Sequence, residues 1–432
     1  MNDTGALGNN DSAFQRRFDF FFYFCKRSLT KSTITMQQIE IRNFGPIGEG
    51  YGGMMPVYPI TFFCGNQGAG KSTVAKLIST FSWIEKGLVR GDLSLNKKTE
   101  SAAFFRQQCE FHRIQNYFKP ETIIHFVGTR YNFHYESETF SIESVSDTAD
   151  YPMPKIMYVP AERNFLTVVE HPDLLKEIPQ SLFVLFSEYD KARRSIIGRI
   201  RLPIDGFVFQ YDKLNNVAWL TGNGFKVRTS EAASGFQSLI PLSLVTLYDA
   251  ALVKSGNQVA PNLQVTNAIE KRIADILADN SIDEKMRRLL LAQQASLLTY
   301  GKFINIVEEP EQNLYPASQR SVLFDLFTAY NLTTGNQLII TTHSPYLIDY
   351  TTLAVKAASI KPKNQEQIDR LEQIVPHDSR INGADVCVYQ IEDGKITPLE
   401  RYDNMPSDNN MLNRELNDTN EVFAQLLEME DM

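Results

Sequence analysis

Gly65-Asn66-Gln67-Gly68-Ala69-Gly70-Lys71-Ser72 fits the pattern G-x-x-x-x-G-K-[ST]. The flanking residues decide what the match means. Tyr58-Pro59-Ile60-Thr61-Phe62-Phe63-Cys64 reads as a buried strand, and Lys71 to Phe81 reads as a helix. A strand, a glycine-rich loop and a helix in that order build a phosphate cradle. Gly65, Gly68 and Gly70 let backbone N–H groups converge on phosphate oxygens, and the helix N-terminus adds partial positive charge. On this reading Gly65, Asn66, Gly68, Ala69, Gly70, Lys71, Ser72 and Thr73 line a nucleotide site. Lys71 reaches the β- and γ-phosphates, and Ser72 ligates Mg²⁺. The competing reading is a glycine-rich turn before an ordinary helix, and the flanking strand and helix argue against it.

Three later segments each supply something this loop lacks. Phe303-Ile304-Asn305-Ile306-Val307-Glu308-Glu309-Pro310 is an apolar strand ending in adjacent carboxylates. Beside a phosphate loop, Glu308 would hold the metal, directly or through water, and Glu309 would orient or deprotonate the attacking water. The bland alternative is a solvated acidic turn. Leu338-Ile339-Ile340-Thr341-Thr342-His343-Ser344-Pro345 is a second apolar strand with one polar side chain at its end. His343 would hydrogen-bond the γ-phosphate or the attacking water, although a lone histidine is more often structural. Glu231-Ala232-Ala233-Ser234-Gly235-Phe236-Gln237-Ser238 opens a helix. Ser234 and Gly235 there make a second small anion site, or else Ser234 is a plain N-cap. One nucleotide does not fill two anion sites in one head, so a second copy of the chain would supply one of them.

Composition sets bounds. The chain has 432 residues, 43% of them hydrophobic and 22% charged, with a formal net charge of −8. That is an ordinary globular composition with room for two or three lobes on a large core. An acidic chain is not built to coat itself in nucleic acid, though a local basic groove is compatible with it. Cys25, Cys64, Cys109 and Cys387 show no paired spacing, which predicts neither a disulfide framework nor a zinc site and suits a reducing cytoplasm. No uninterrupted apolar run has bilayer length; Phe18-Asp19-Phe20-Phe21-Phe22-Tyr23-Phe24 is broken by Asp19 and far short of ~20 residues. Residues 1–35 differ in composition from the rest of the chain and read as a poorly ordered arm or a mis-assigned start.

Periodicity fills in the rest. Gln38 to Phe44 alternates as a half-buried strand, and Thr122 to Ser144 suggests antiparallel hairpins. Lys155 to Val159 is a short strand running into Pro160-Ala161-Glu162-Arg163, and Leu174 to Ile197 is helical. Phe207 to Tyr211, Val217 to Thr221 and Phe225 to Thr229 form a three-stranded meander, with Asn223-Gly224 as its second turn. Ser234 to Leu252 is a buried helix, and Asn262 to Thr299 a helical insertion that folds as a short pair. Val386 to Ile391 and Lys395 to Leu399 pair across Asp393-Gly394. The tail from 401 to 432 is acidic, with one helix from Asn420 to Leu427. The head proper is therefore expected over 36–400, with its insertion at about 255–300.

The order phosphate loop, Ser-Gly-Phe-Gln, Glu-Glu-Pro-Glu, Thr-His-Ser-Pro resembles the ABC-type ATPase heads of the SMC, Rad50, RecF and OLD group over roughly Met36 to Ile391. The resemblance implies an α/β P-loop NTPase of ABC-ATPase type, a mixed sheet core with an antiparallel β lobe and a helical signature lobe. It implies ATP and Mg²⁺. Ser234, with Gly235 and Gln237, would be the signature that meets the γ-phosphate across a head-to-head dimer. Glu309 would be the catalytic glutamate, His343 the switch histidine, and Glu311-Gln312-Asn313-Leu314 the loop at the dimer seam. Arg42 and Asn43 fall where such heads approach the nucleotide. Glu162 and Arg163 fall where a glutamine loop joins the two lobes, but no glutamine matches.

The departures narrow the resemblance. No long coiled coil separates Gly70 from Ser234, Ala233 stands where a transporter signature has leucine, and little chain follows His343 for a nuclease domain. The phrases Tyr158 to Asn164, Ala233 to Ser238 and Glu308 to Pro316 look most like the ATPase subunits of PARIS anti-phage systems, with those of Septu next. This implies a cytoplasmic homo-oligomer, built on ATP-sandwiched dimers, that holds a separately encoded nuclease-type effector until a phage-encoded trigger arrives. The rival is a RecF-type DNA-repair ATPase. Lys191, Arg193, Arg194, Arg199 and Arg201 form its best basic cluster, unless they are a solvated helix face.

Overall fold

The structure, a computed structural model, describes residues 36–145, 151–169, 178–256 and 299–430, with isolated positions between 271 and 279. The readings of residues 1–35 as an arm and of Asn262 to Thr299 as a helix pair fall almost wholly outside those residues.

In chain order, β1 (Gln38–Phe44), β2 (Met55–Pro56), β3 (Ile60–Cys64), α1 (Lys71–Arg90) and α2 (Ala102–Glu110) lead into β4 (Phe118–Val127), β5 (Tyr131–Glu136), β6 (Thr139–Ser144) and β7 (Pro154–Val159). A 3-10 turn, Ala161–Asn164, comes after β7, then α3 (Gln180–Ser195) and the strands β8 (Arg199–Arg201), β9 (Val208–Asp212), β10 (Val217–Gly222) and β11 (Phe225–Arg228). Next come α4 (Ser234–Ser255), β12 (Lys302–Glu308), α5 (Pro316–Asn331), β13 (Gln337–Thr342), α6 (Pro345–Ser359) and α7 (Gln365–Ile374). The chain continues through β14 (Val386–Glu392), β15 (Lys395–Pro398), β16 (Arg401–Tyr402), β17 (Met405–Pro406) and α8 (Met411–Glu430).

The central sheet runs β15-β14-β3-β13-β12-β7, parallel except for β15. Strands β3, β7 and β12 are buried along their whole length, because helices or the β lobe cover both faces. Successive side chains therefore serve opposite cores. Phe62 packs into the core shared with α3, α4, α5 and α6, while Phe63 packs into the core shared with α1 and the antiparallel sheet β2-β1-β4-β5-β6. That lobe grips α1 through aromatic rings: Phe81 stacks on Phe105 at 5.0 Å and on Phe126 at 4.9 Å. Asn223-Gly224 and Asp393-Gly394 both turn with positive φ (47° and 79°, 47° and 77°), as two-residue hairpins require.

Several expectations change. The meander has a fourth strand, because β8 adds to β9. Arg199 and Arg201 therefore sit on a strand, while Lys191, Arg193 and Arg194 sit on α3 and pair with its own acids: Lys191 with Glu188, and Arg193 and Arg194 with Asp190. α3 starts at Gln180; Leu174 to Glu177 lie outside the described residues. α1 extends nine residues past Phe81, to a C-cap at Gly91 with φ 91°. The C-terminal helix spans 411–430 rather than 420–427, and its first turn, Met411 and Leu412, is buried in the main core. Among the described residues α4 alone has the length and mean hydropathy (1.4) of a membrane span, but 67% of that window is buried inside this fold.

Candidate active site

In this sheet β13 lies between β3 and β12. Thr342 is level with Cys64, and Glu308 is level with Thr341, so the three strands end together. A ligand meeting a parallel sheet does so at such carboxyl ends. The residues just past those ends are Gly65 to Ser72, Glu309 and His343, and strand order alone puts the histidine between the lysine and the glutamate.

The loop after β3 has the conformation its glycines allow. Gly65, Gly68 and Gly70 have φ of 148°, 77° and 111°. A Cβ on Gly65 would lie 2.3 Å from Ile391 O, and one on Gly70 would lie 2.5 Å from Ile47 Cδ1, so neither position accepts a side chain. Gly70 is the N-cap of α1, makes no side-chain capping bond, and the first turn of that helix carries no acid. The cradle is thus fit for an anion: a helix dipole points at it, and no acid stands in the helix's first turn. Lys71 folds over it, donating to Gly65 O and Asn66 O at 2.8 Å each. Burial pulls its pKa down, and the nearby Glu309 is the largest influence holding it up.

Lys71 Nζ is 3.3 Å from His343 Nδ1, and His343 Nε2 is 3.3 Å from Glu309 Oε1. The hydrogen bond from His343 is the main reason the Glu309 carboxyl sits below its ordinary pKa. Glu309 is itself strained, with φ of 44°, while its N–H still donates to Thr341 O at 2.9 Å. Strand β12 continues its bonding to β13 one residue beyond its end, and the reversed φ turns the carboxylate toward His343.

Glu308 is differently placed. It is 4% exposed; its Oε1 accepts the Tyr158 hydroxyl at 2.5 Å and its Oε2 the Ala161 N–H at 3.1 Å. Each oxygen keeps a second lone pair. Ser72 is half-buried at the start of α1. A hydroxyl and a carboxylate are the hard oxygen donors Mg²⁺ takes, and a carboxylate held this way suits contact through water better than direct ligation. No cluster of three or more His, Cys, Asp or Glu side chains fit for a metal occurs among the described residues.

The remaining predicted residues divide into two groups. Ser234 is exposed as the first residue of α4, and the N-cap is Ala233, so the plain N-cap reading of Ser234 does not hold. Gly235 packs on the Glu311–Leu314 turn so closely that a Cβ would lie 2.7 Å from Asn313 O. Gln237 points inward, its Nε2 donating to Ser230 O at 3.0 Å. Arg42 pairs with Glu40, and Asn43 donates to Glu121 O across the bulge that ends β1. From that lobe it is Pro46 and Ile47 that abut the phosphate loop, at Gly70.

Three residues carry more than their sequence positions suggested. Glu311 accepts the His343 N–H and the Thr342 hydroxyl, both at 2.7 Å on Oε1, and so fixes the backbone that presents the imidazole. Its Oε2 is buried and finds no hydrogen-bond partner among the described residues, and burial raises its pKa. Tyr158 orients Glu308 from the end of β7. Arg163 is fully buried and donates to four backbone carbonyls. Neither of the last two carried a local signal of its role: Tyr158 is one more residue of a buried strand, and Arg163 lies in the turn beyond it.

Fold and site together are those of an α/β protein with a P-loop at the carboxyl end of a parallel sheet. A family model described as an AAA domain, putative AbiEii toxin, Type IV TA system, matches residues 286–349, a minority of the chain that contains β12, Glu308 to Leu314 and His343. No curated protein matches the chain. Among solved structures, the SMC head domain from Thermotoga maritima is 8% identical, with 85% of this chain and 99% of that one covered and a TM-score of 0.34. The Smc head domain from Pyrococcus furiosus, solved bound to the C-terminal domain of ScpA, is 10% identical over 84% of this chain and 97% of that one, with a TM-score of 0.35. An ATP-binding cassette of an ABC transporter is 11% identical over 88% and 96%, with a TM-score of 0.29.

Proposed function

We propose that this chain binds and hydrolyses ATP as a head-to-head dimer, and that the nucleotide state controls a separately encoded nuclease-type effector in anti-phage defence. The observation that carries the hydrolytic part is the line Lys71–His343–Glu309 beside an open phosphate cradle. A base, a hydrogen-bond relay and a cation at one strand-end surface are the parts that water attack on a phosphoryl group requires.

In this reading Gly65 to Thr73 hold the phosphates, and Lys71 leaves its two loop carbonyls to meet them. Glu309, ionised because His343 donates to it, takes a proton from water. Mg²⁺, when bound, would offset phosphate charge; Ser72 would hold it directly and Glu308 through water. Ser234 of a second copy would close the site, since it is exposed and, with Gly235 seated on the Glu311–Leu314 turn, belongs to one face with that turn. Differential contact with the γ-phosphate is what lets a nucleotide set an assembly state.

The effector part of the proposal is supported by the resemblance and by the partial match to an AbiEii-type domain. The DNA-repair alternative is weakened because Lys191, Arg193 and Arg194 spend their charge on Glu188 and Asp190. The test is ATP turnover by the purified chain, then isolation of tagged Glu309→Gln protein from its native locus and host. Mg²⁺-dependent phosphate release and a stoichiometric nuclease or toxin-like companion are expected. An inert chain would remove the ATPase reading, and co-eluting DNA lost with rising salt would replace the effector with a nucleic acid.

A further inference from the structure

Arg163 is 0% exposed, in the 3-10 turn after β7, and among the described residues it makes no ion pair with a carboxylate. Its guanidinium reaches three elements. Nη1 donates to Glu308 O at 2.6 Å and to Pro160 O at 3.3 Å, Nη2 to Glu309 O at 2.6 Å, and Nε to Ser238 O at 3.1 Å. Desolvation pulls its pKa down to about 10, with Glu311, Glu309 and Glu308 opposing, so it stays charged at neutral pH.

The acceptors are informative. Glu308 O and Glu309 O bracket the peptide where the chain leaves β12 and φ turns positive. Ser238 O lies one turn into α4, in the stretch where Pro241 interrupts the helix. Pro241 has no N–H, so Gln237 O loses its helical partner and shares the Thr167 hydroxyl, 3.1 Å away, with Asn164 O at 2.8 Å. This part of α4 is therefore held from outside the helix, at two adjacent carbonyls, by Arg163 and Thr167. Of these two, Arg163 alone also holds Glu309.

We propose that Arg163 is a positioning residue that couples the N-terminal turn of α4, which carries Ser234, to the backbone of Glu309. A guanidinium presents donors in a fixed planar fork, so a shift of Ser238 O rotates the bonds to Glu308 O and Glu309 O with it. Displacing the Glu309 carbonyl changes the strained turn that aims its carboxylate at His343. Contact made at Ser234 by a partner head would reach the base by that route, and a glutamine is not needed for it. The inference rests on the reading of Glu309 as the base.

The test compares Arg163→Lys with Thr167→Val, using the full chain. Lysine keeps the charge but not the fork; Thr167→Val loosens the same turn of α4 without touching Glu309. Nucleotide affinity, steady-state turnover and amide hydrogen exchange are measured on each. For Arg163→Lys, kcat is expected to fall roughly tenfold or more with KM within about threefold, because the four hydrogen bonds of Arg163 go to Pro160, Ser238, Glu308 and Glu309 and to none of the phosphate loop. Exchange should quicken together in 234–242 and 308–314, by about tenfold, and little elsewhere. Thr167→Val should quicken exchange in α4 alone and keep parental kcat. Parental turnover and exchange in Arg163→Lys would overturn the proposal, as would an equal loss of kcat in Thr167→Val. If the parent chain proves inert, the ATPase reading falls separately; exchange still decides the link, and acceleration in only one of the two segments rejects it.

Discussion

His343 Nε2 faces Glu309 Oε1 at 3.3 Å, and the other side of the ring fixes which nitrogen carries the proton. The Lys71 ammonium can only donate, so Nδ1 accepts from it and the proton sits on Nε2, directed at Glu309. The ring thus bridges both neighbours. This arrangement makes Glu309 a carboxylate over a wider range of pH than it would be alone.

Removing the ring should therefore move a pH profile. The Glu309 pKa is depressed, chiefly by the His343 hydrogen bond, so the ionised base is present above that pKa and is lost as pH falls through it. In His343→Ala the pKa rises, and the acid limb of kcat moves to higher pH. Lys71, Arg163 and Glu311 still face the carboxylate, so the change is a displacement of the limb rather than loss of the base. Turnover at the optimum should fall by roughly 10²-fold. His343→Gln, which keeps a donor, should retain more of the acid limb than alanine does. An acid limb that stays in place in His343→Ala would show that this bond does not set the ionisation of the base.

The two adjacent glutamates should separate into one that stabilises and one that costs stability. Glu308→Ala leaves the buried Tyr158 hydroxyl and the Ala161 N–H without their acceptor, a loss of about 2 kcal/mol. Glu309 sits in a left-handed conformation that disfavours any side chain by roughly 1 kcal/mol. Glu309→Gly should therefore hold or raise the melting temperature while abolishing turnover, and Glu309→Gln should lose about 10² to 10⁴ in kcat with nucleotide binding kept. Thermal unfolding of the three variants beside phosphate release checks both halves. A Glu309→Gly protein that melts well below wild type would mean the turn is not strained in solution.

These distinctions were only partly legible in the sequence. Glu308, Glu309 and His343 stand at the ends of apolar runs, and a parallel strand buried on both faces must read that way. The phosphate loop was legible for the same reason at Cys64 and Gly65. Strand order was not, because nothing local tells β13 to lie between β3 and β12, and that order is what seats His343 between Lys71 and Glu309. Arg163 stands out in the sequence only as a departure from a glutamine loop, and its four acceptors are backbone carbonyls, which no residue pattern encodes. The three-residue strand β8 was too short to show a period.

Two neighbouring residues in α4 should give opposite phenotypes, and that contrast tests the proposed dimer most directly. Gly235 touches its own chain: any Cβ would press on Asn313 O at 2.7 Å, and Asn313 is already in a left-handed turn with φ of 58°. Gly235→Ala must displace that turn or the first turn of α4, at about 1–3 kcal/mol, and should lower stability in the isolated chain at any concentration. Ser234 is exposed and belongs to the same face. Ser234→Arg should leave the melting temperature almost unchanged, within about 0.5 kcal/mol, and leave ATP affinity of the single head intact. What it should lose is ATP-dependent association, read by sedimentation of the Glu309→Gln background with and without nucleotide, and with it turnover. Lys71→Ala should fail earlier, at nucleotide binding itself, because the charge that meets the phosphates is gone. Ordinary turnover and association in Ser234→Arg would remove Ser234 from the site and leave each head to work alone.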